Sequence, residues 1–328
     1  MEASDSQSLL PEFPQGPLKV YVSECLVGGE VRHDGGHKRS SMPEQMFQDL
    51  FDFVPVCPEV GIGLGVPREP IRLVGNVATP RAVGVRSADL DVTDRLESFA
   101  RIQNQFLDDV DGYVFMKNSP SCGLFRVKVY RAADGIPLAE GRGVYASGIS
   151  RLRPNLPVEE SGRLFDPVLR ENFVTRTFVH AHWHALLRFG LSAKSLIAFH
   201  SVYKYLVMAH SISGYKTLGR LLSDLSTNLE DVASEYFEGL MVSLGKPAMP
   251  GGHANVMSHL QGHIKNSLTG RSRAELANLI EQYRRGEVPL LAPLSLLKHH
   301  LGEHDAGYAI NQLYLQPHPI NAGLRRDL

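Results

Sequence analysis

The 328-residue chain carries 34 Lys and Arg against 35 Asp and Glu. A formal charge of −1 excludes a uniformly polybasic nucleic-acid binder, and 43% apolar residues are ample for packed cores. No apolar run reaches the roughly 18 residues of a membrane span, and three cysteines behind a polar, acidic start argue for a reducing cytoplasmic setting over a disulfide framework.

Residues 1–16 read as a disordered leader. Pro17–Ser23 is a short apolar strand running into the loop that carries Cys25. Pro43–Leu50 reads as a helix. Phe53–Val56 is a second strand, ending at Cys57. Asp94–Asp109 reads as a helix with Leu96, Phe99, Ile102 and Phe106 on one face. Gly112–Met116 is a third strand, followed by Lys117-Asn-Ser-Pro-Ser-Cys122. Strands alternating with helices predict a parallel, Rossmann-like α/β sheet over residues 17–150, in which ligand sites gather at the strands' C-terminal ends. Each cysteine falls just past such an end.

The Pro-rich polar stretch 151–166 reads as a linker. From 167 to 328 helical patterns dominate, giving an all-α domain: Val168–Phe189, Ser195–His210, a helix from Ser272 to Arg285 opened by a Ser272–Glu275 capping box, and another beginning near Pro293. Charge separates the two parts. Residues 1–160 hold 17 basic against 22 acidic side chains, and residues 161–328 hold 17 against 13 with 12 of the 14 histidines. The second part therefore suits a polyanionic partner.

Cys25, Cys57 and Cys122 are separated by 32 and 65 residues, which matches no zinc finger or Cys-x-x-Cys motif. Unrelated buried cysteines fit that spacing as well as a metal centre does. The contexts point to the centre: Cys25-Leu-Val-Gly-Gly, Val-Cys57-Pro-Glu-Val-Gly and Ser-Pro-Ser-Cys122-Gly all provide turns that bring backbone N–H groups near sulfur. A cluster with one open iron and a three-cysteine zinc site both suit such thiolates.

Val22-Ser-Glu-Cys-Leu26, Val31-Arg-His-Asp-Gly-Gly-His37, Pro55-Val-Cys-Pro-Glu-Val-Gly61 and Lys117-Asn-Ser-Pro-Ser-Cys-Gly123 together resemble the thiouracil desulfidase (TudS-like) family. Phe199–Ser211, Gly252-His-Ala-Asn255 and Pro289–His299 resemble an all-helical partner domain, and the pairing resembles the RudS-like RNA 4-thiouridine desulfidases. The resemblance implies a 4Fe–4S cluster held by Cys25, Cys57 and Cys122, with the fourth iron open to the substrate sulfur. It implies an enzyme that converts 4-thiouridine in tRNA to uridine and releases hydrogen sulfide without a redox change. Two alternatives stay open: the same chemistry on free thiouracil or thiouridine nucleotides, and an iron–sulfur sensor without catalysis.

Replacing C=S by C=O needs a base for water, and Glu59, two residues from Cys57, is the candidate. Ser119 and Ser121 flank Pro120 beside Cys122. Ser119 is the preferred catalytic hydroxyl, and Ser121, adjacent to a ligand, the supporting one. Asp34-Gly-Gly-His37 reads as a turn over the site; Arg32, Asp34 and His37 are candidate substrate contacts, and a plain turn fits the same residues as well. Gly61-Ile-Gly-Leu-Gly65 follows Cys-Pro-Glu instead of opening a helix, which excludes a dinucleotide loop. In the helical part, Lys204 with His200 one turn away, flanked by Tyr203 and Tyr205, is the leading tRNA contact, joined by Arg284 and Arg285. The paired histidines His180/His184, His259/His263 and His300/His304 read as RNA contacts or interhelical hydrogen bonds more readily than as zinc ligands.

Overall fold

The computed structural model describes residues 9–40, 47, 49–87, 89–131, 136–223, 225, 228–304, 306–319, 323–325 and 328. The chain divides into an α/β unit, Gly16–Asp166, and a helical unit formed by Pro167–Leu328 with Met1–Gln15.

The α/β unit is built on strands β1 (Leu18–Ser23), β2 (Phe51–Val56), β5 (Gly112–Phe115) and β8 (Val158–Glu160), all parallel in the order β2-β1-β5-β8. The two central strands are almost wholly buried, as strands covered on both faces must be. Pro55 lies on the outer strand β2, where a missing N–H costs no ladder bond. A second sheet, absent from the sequence reading, joins β4 (Arg81–Gly84), β3 (Ile71–Val74), β6 (Val127–Tyr130) and β7 (Pro137–Gly141), with only the β3–β6 pair parallel.

Helix α1 (Thr93–Asn104) ends five residues before the expected Asp109. It buries Thr93, Leu96 and Ala100, while Ile102 and Phe106 are exposed. The 93-96-100 spacing follows the helix repeat more closely than the larger side chains did. Helix α2 is Val144–Leu152. Most of the expected helix 43–50 lies outside the described residues.

Residues 151–166 are not a linker. They hold the end of α2, all of β8 and a short turn at Arg163–Phe165. The buried Glu160 carboxylate accepts the backbone N–H groups of Leu124 and Phe125 at 2.8 and 3.0 Å, and Glu159 pairs with Arg163 at 2.7 Å. Buried acids with such partners belong to a folded element, and polar composition alone could not show that.

The helical unit comprises α3 (Pro167–Phe189), α4 (Ala193–His210), α5 (Ile212–Leu221), α6 (Leu229–Leu244), α7 (Pro250–His263), α8 (Gly270–Arg284) and α9 (Leu291–Glu303). Its core includes Trp183, stacked on Phe237 at 5.0 Å, with Phe199, Tyr203, Tyr236 and Leu297. Helix α4 opens with a capping box between Ser192 and Ser195. Helix α8 begins at Gly270 with Thr269 as its cap, three residues before the expected cap Ser272, because the Thr269 hydroxyl accepts the Ser272 N–H. Residues 9–15 of the expected leader pack against this unit: Phe13 stacks on Phe178 at 6.0 Å, and Nε2 of His182 lies 3.3 Å from the Pro11 carbonyl. No helix among the described residues is long and apolar enough to cross a membrane.

Candidate functional site

Strands β2, β1 and β5 are adjacent and parallel, so their C-terminal ends share one edge. Ser23 pairs with Val56, and Val22 with Val114. Cys25 sits in a short turn directly after β1, Cys57 follows β2, and Cys122 ends the loop after β5. The three cysteines line one cavity of about 440 Å³, within the roughly 300–1,000 Å³ of small-molecule sites. All are free. Burial pushes the Cys25 thiol up to about 11, with the neighbouring Cys57 adding to it. Burial also raises Cys57, and it raises Cys122 well above the ordinary thiol range.

The loop carrying Cys122 is fixed from several sides. Oγ of Ser119 accepts the N–H of Ser121 at 3.2 Å and of Cys122 at 3.0 Å. The N–H groups opening α2 reach back to the carbonyls of Pro120 and Ser121, each at 3.0 Å. Gly143 makes that approach possible, because a Cβ there would lie 2.6 Å from the Ser121 carbonyl oxygen.

Glu59 lies in the single helical turn Pro58–Gly61 and lines the cavity. Ser121 Oγ donates to its Oε1 at 2.8 Å, and Arg68 Nε donates to its Oε2 at 2.8 Å. Arg68 also donates to the Val31 carbonyl at 2.8 Å, tying the 31–38 loop to Glu59. Ser121 is fully buried behind the carboxylate, whereas Ser119 lines the cavity. The two N–H bonds that Ser119 accepts leave its own hydroxyl hydrogen to donate.

The structure brings Cys25, Cys57, Cys122, Glu59, Ser119 and Arg32 to this cavity, and does not bring Asp34 or His37. Asp34 is exposed, and its Oδ1 accepts the Gly36 N–H at 3.1 Å, which holds its carboxyl below the usual range. Nδ1 of His37 accepts the Arg39 N–H at 3.1 Å. Both side chains bond backbone two residues on, as turn residues do. Arg68, His33, Lys38, Lys117 and Asn118 line the cavity and were missed. For Arg68 the one local signal is its place between Pro67 and Pro70, a rigid stretch.

In the helical unit the expected RNA contacts are only partly free. Burial, then Lys204, lowers the His200 ring to about 4, so it is neutral at pH 7, with Nδ1 3.3 Å from the Tyr236 hydroxyl. Lys204 lies over the rings of Tyr308 and Tyr205, at 4.8 and 5.2 Å. Arg284 pairs with Glu281 at 2.6 Å, and Arg285 with Glu287 at 3.2 Å. Of the paired histidines, His263 contacts Tyr205 at 2.8 Å, an interhelical hydrogen bond.

Three thiols and a buttressed carboxylate line one cavity at the C-terminal edge of the parallel sheet of this α/β unit. A family model described as 2-thiouracil desulfurase matches residues 20–161, and one described as a protein of unknown function (DUF1722) matches residues 204–319. The uncharacterized protein YbgA of Escherichia coli (strain K12) is 36% identical over 159 residues, covering 48% of this chain and 94% of that protein. The uncharacterized protein YbbK of Bacillus subtilis (strain 168) is 30% identical over 110 residues, covering 32% of this chain and 72% of that protein. A solved structure of a [4Fe-4S]-dependent thiouracil desulfidase, TudS, covers 47% of this chain and 98% of its own, at 25% identity and a TM-score of 0.36. The chain belongs to the 2-thiouracil desulfurase family through its α/β unit and carries a DUF1722 region in its helical unit.

Proposed function

We propose that the protein is a 4Fe–4S-dependent desulfidase that converts 4-thiouridine in tRNA to uridine and hydrogen sulfide. The observation that carries the reading is the convergence of Cys25, Cys57, Cys122 and Glu59 on one cavity.

The donor set fits a cluster. Among the described residues, the group whose donor atoms all lie within 4.8 Å of one another is His299, His300 and Glu303. At least one pair of the three sulfurs lies further apart than that. A single zinc with bonds of about 2.3 Å needs sulfurs only about 3.8 Å apart, so the wider spread favours a larger centre. Such a cluster, when bound, supplies an open thiophilic iron for the sulfur.

The chain's own residues supply the rest. Glu59 takes a proton from the attacking water. Arg68 and Ser121 hold its two oxygens, fixing which lone pair faces the cavity. The Ser119 hydroxyl donates to the ring. Water provides the oxygen of the new C=O, and its two hydrogens leave with the sulfur, so the step needs no oxidant or reductant.

Arg32, His33, Lys38, Arg68 and Lys117 line the cavity against the two acids Glu24 and Glu59. That excess of basic side chains favours a phosphate-bearing substrate over a neutral thiobase. The net charge of +4 in residues 161–328, 17 basic less 13 acidic, supports tRNA as the carrier.

The test is anaerobic purification, iron and acid-labile sulfide analysis, then turnover of thiolated tRNA and of free thiouracil by the same preparation. Four irons per chain with faster turnover of tRNA is the expected result. Iron-free protein that desulfurates either substrate overturns the cluster, and turnover of free base alone overturns the tRNA assignment.

A further inference from the structure

A second cavity, of about 220 Å³, lies in the helical unit between α9 and the chain's last described residues. Among the described residues its polar lining is Ser295, Lys298, Gln316, His318 and Arg325, with no Asp or Glu. Ser295 and Lys298 stand three apart on α9, so both face the same side. The remainder is apolar, with Leu291, Leu294, Leu315 and Leu324.

The cationic groups are under-compensated. Arg325 is buried and spends Nε on Glu171 Oε1 at 2.8 Å and one terminal nitrogen on the Tyr314 carbonyl at 2.7 Å. Among the described residues Lys298 donates to the neutral Gln316 amide, at 3.2 Å, and to no carboxylate. Burial and then the nearby Arg325 charge push its ammonium pKa down. His318 is 5% exposed. Its Nδ1 lies 3.3 Å from the Pro319 carbonyl, and its Nε2 is buried without a hydrogen-bond partner, 3.8 Å from Glu171. Glu171 is faced by both Arg325 and His318, and Lys298 has no carboxylate partner among the described residues, so the lining keeps a positive excess.

We propose that this cavity binds a small organic oxyanion, a phosphate monoester or carboxylate on a short apolar body. The anionic head meets Lys298 and Ser295, supplying the countercharge that Lys298 lacks. The leucines take the body. The volume lies below the roughly 300–1,000 Å³ of sites for drug-sized ligands, so the ligand is small. This site is independent of the sulfur chemistry proposed for the α/β unit.

The test is calorimetric titration of the full-length, cluster-loaded protein with butyl phosphate and with butyrate, using butanol as the uncharged control. We expect one of the two anions to bind, butanol to be silent, and affinity to fall about tenfold or more in Lys298→Met, the loss of one charged hydrogen bond. Lys298→Arg should bind again. Lys298→Gln and Ser295→Ala serve as further weakened variants should Lys298→Met not fold, as judged by Trp183 fluorescence. No binding of either anion to the wild type overturns the proposal, as does undiminished binding by every folded variant of Lys298 and Ser295. Binding of a 5′-phosphorylated RNA with no response to butyl phosphate or butyrate overturns the small-ligand assignment.

Discussion

Ser121 and Glu59 are 62 residues apart in sequence, yet the Ser121 hydroxyl donates to the Glu59 carboxylate at 2.8 Å, while Arg68 holds the other oxygen at the same distance. Two loops at the end of the sheet thus fix one carboxylate. Glu59→Gln should keep its iron and lose turnover by about 10²-fold or more, the range of a general base's contribution. Arg68→Lys keeps the charge but not the planar fork, and should sit between the wild type and Arg68→Met. Full-rate turnover by Glu59→Gln with full iron content removes Glu59 from the mechanism.

Each cysteine should be indispensable on its own. Cys25→Ala, Cys57→Ala and Cys122→Ala each remove one of three thiols that line a single cavity. We expect iron content and activity to fall together in all three. A variant that retains four irons and wild-type turnover shows that its sulfur is no ligand.

Much of this site was legible before the structure, for identifiable reasons. Val20, Val22, Val114 and Phe115 sit on strands buried on both faces, so their apolar runs stand out. The cysteines sit in Gly and Pro turns at the ends of those runs. The second sheet was not legible, because four-residue strands such as Arg81–Gly84 carry too little period to read. Arg68 was missed because its partners, Glu59 and the Val31 carbonyl, come from loops that only the fold brings close. At Asp34 and His37 substrate contact and plain turn could not be told apart in sequence, because polar side chains in a tight turn also bond their own backbone. Glu160 was taken for linker because its partners, the amides after Cys122, lie 35 and 36 residues back in the chain.

The helical unit should weaken on mild acidification. Burial pushes His253 down to about 3 and His182 and His200 down to about 4. In the unfolded chain these rings regain an ordinary value of about 6.5. The unfolded state therefore binds the extra protons, and stability is full above about 6.5 and lost as pH falls toward 4. Each ring contributes a slope of about 1.4 kcal/mol per pH unit within that window. Trp183 is the chain's one tryptophan and is buried in this unit, so its fluorescence reports the transition. The urea midpoint should drop between pH 7.5 and 5.0, and His253→Gln, which can keep a bond to Tyr314, should flatten the decline. A midpoint constant across that range contradicts neutral buried rings.

The tRNA assignment makes a prediction about salt. Phosphate contacts release counterions, so the Michaelis constant for thiolated tRNA should rise steeply with salt, while that for neutral thiouracil should stay nearly flat. The structure also ranks the candidate contacts. Arg284 and Arg285 already hold Glu281 and Glu287, so RNA must displace a carboxylate to use them. Lys204 has no carboxylate partner among the described residues and lies beside Tyr308, a partly exposed ring available for stacking. Lys204→Ala should therefore raise the constant for tRNA more than Arg284→Ala and Arg285→Ala combined, and lower the salt slope by about one. None of the three changes should alter the rate on free thiouracil. Measured at low and high salt for both substrates, equal sensitivity with no effect of Lys204→Ala would remove the helical unit from tRNA binding and leave a desulfidase of free thiobases.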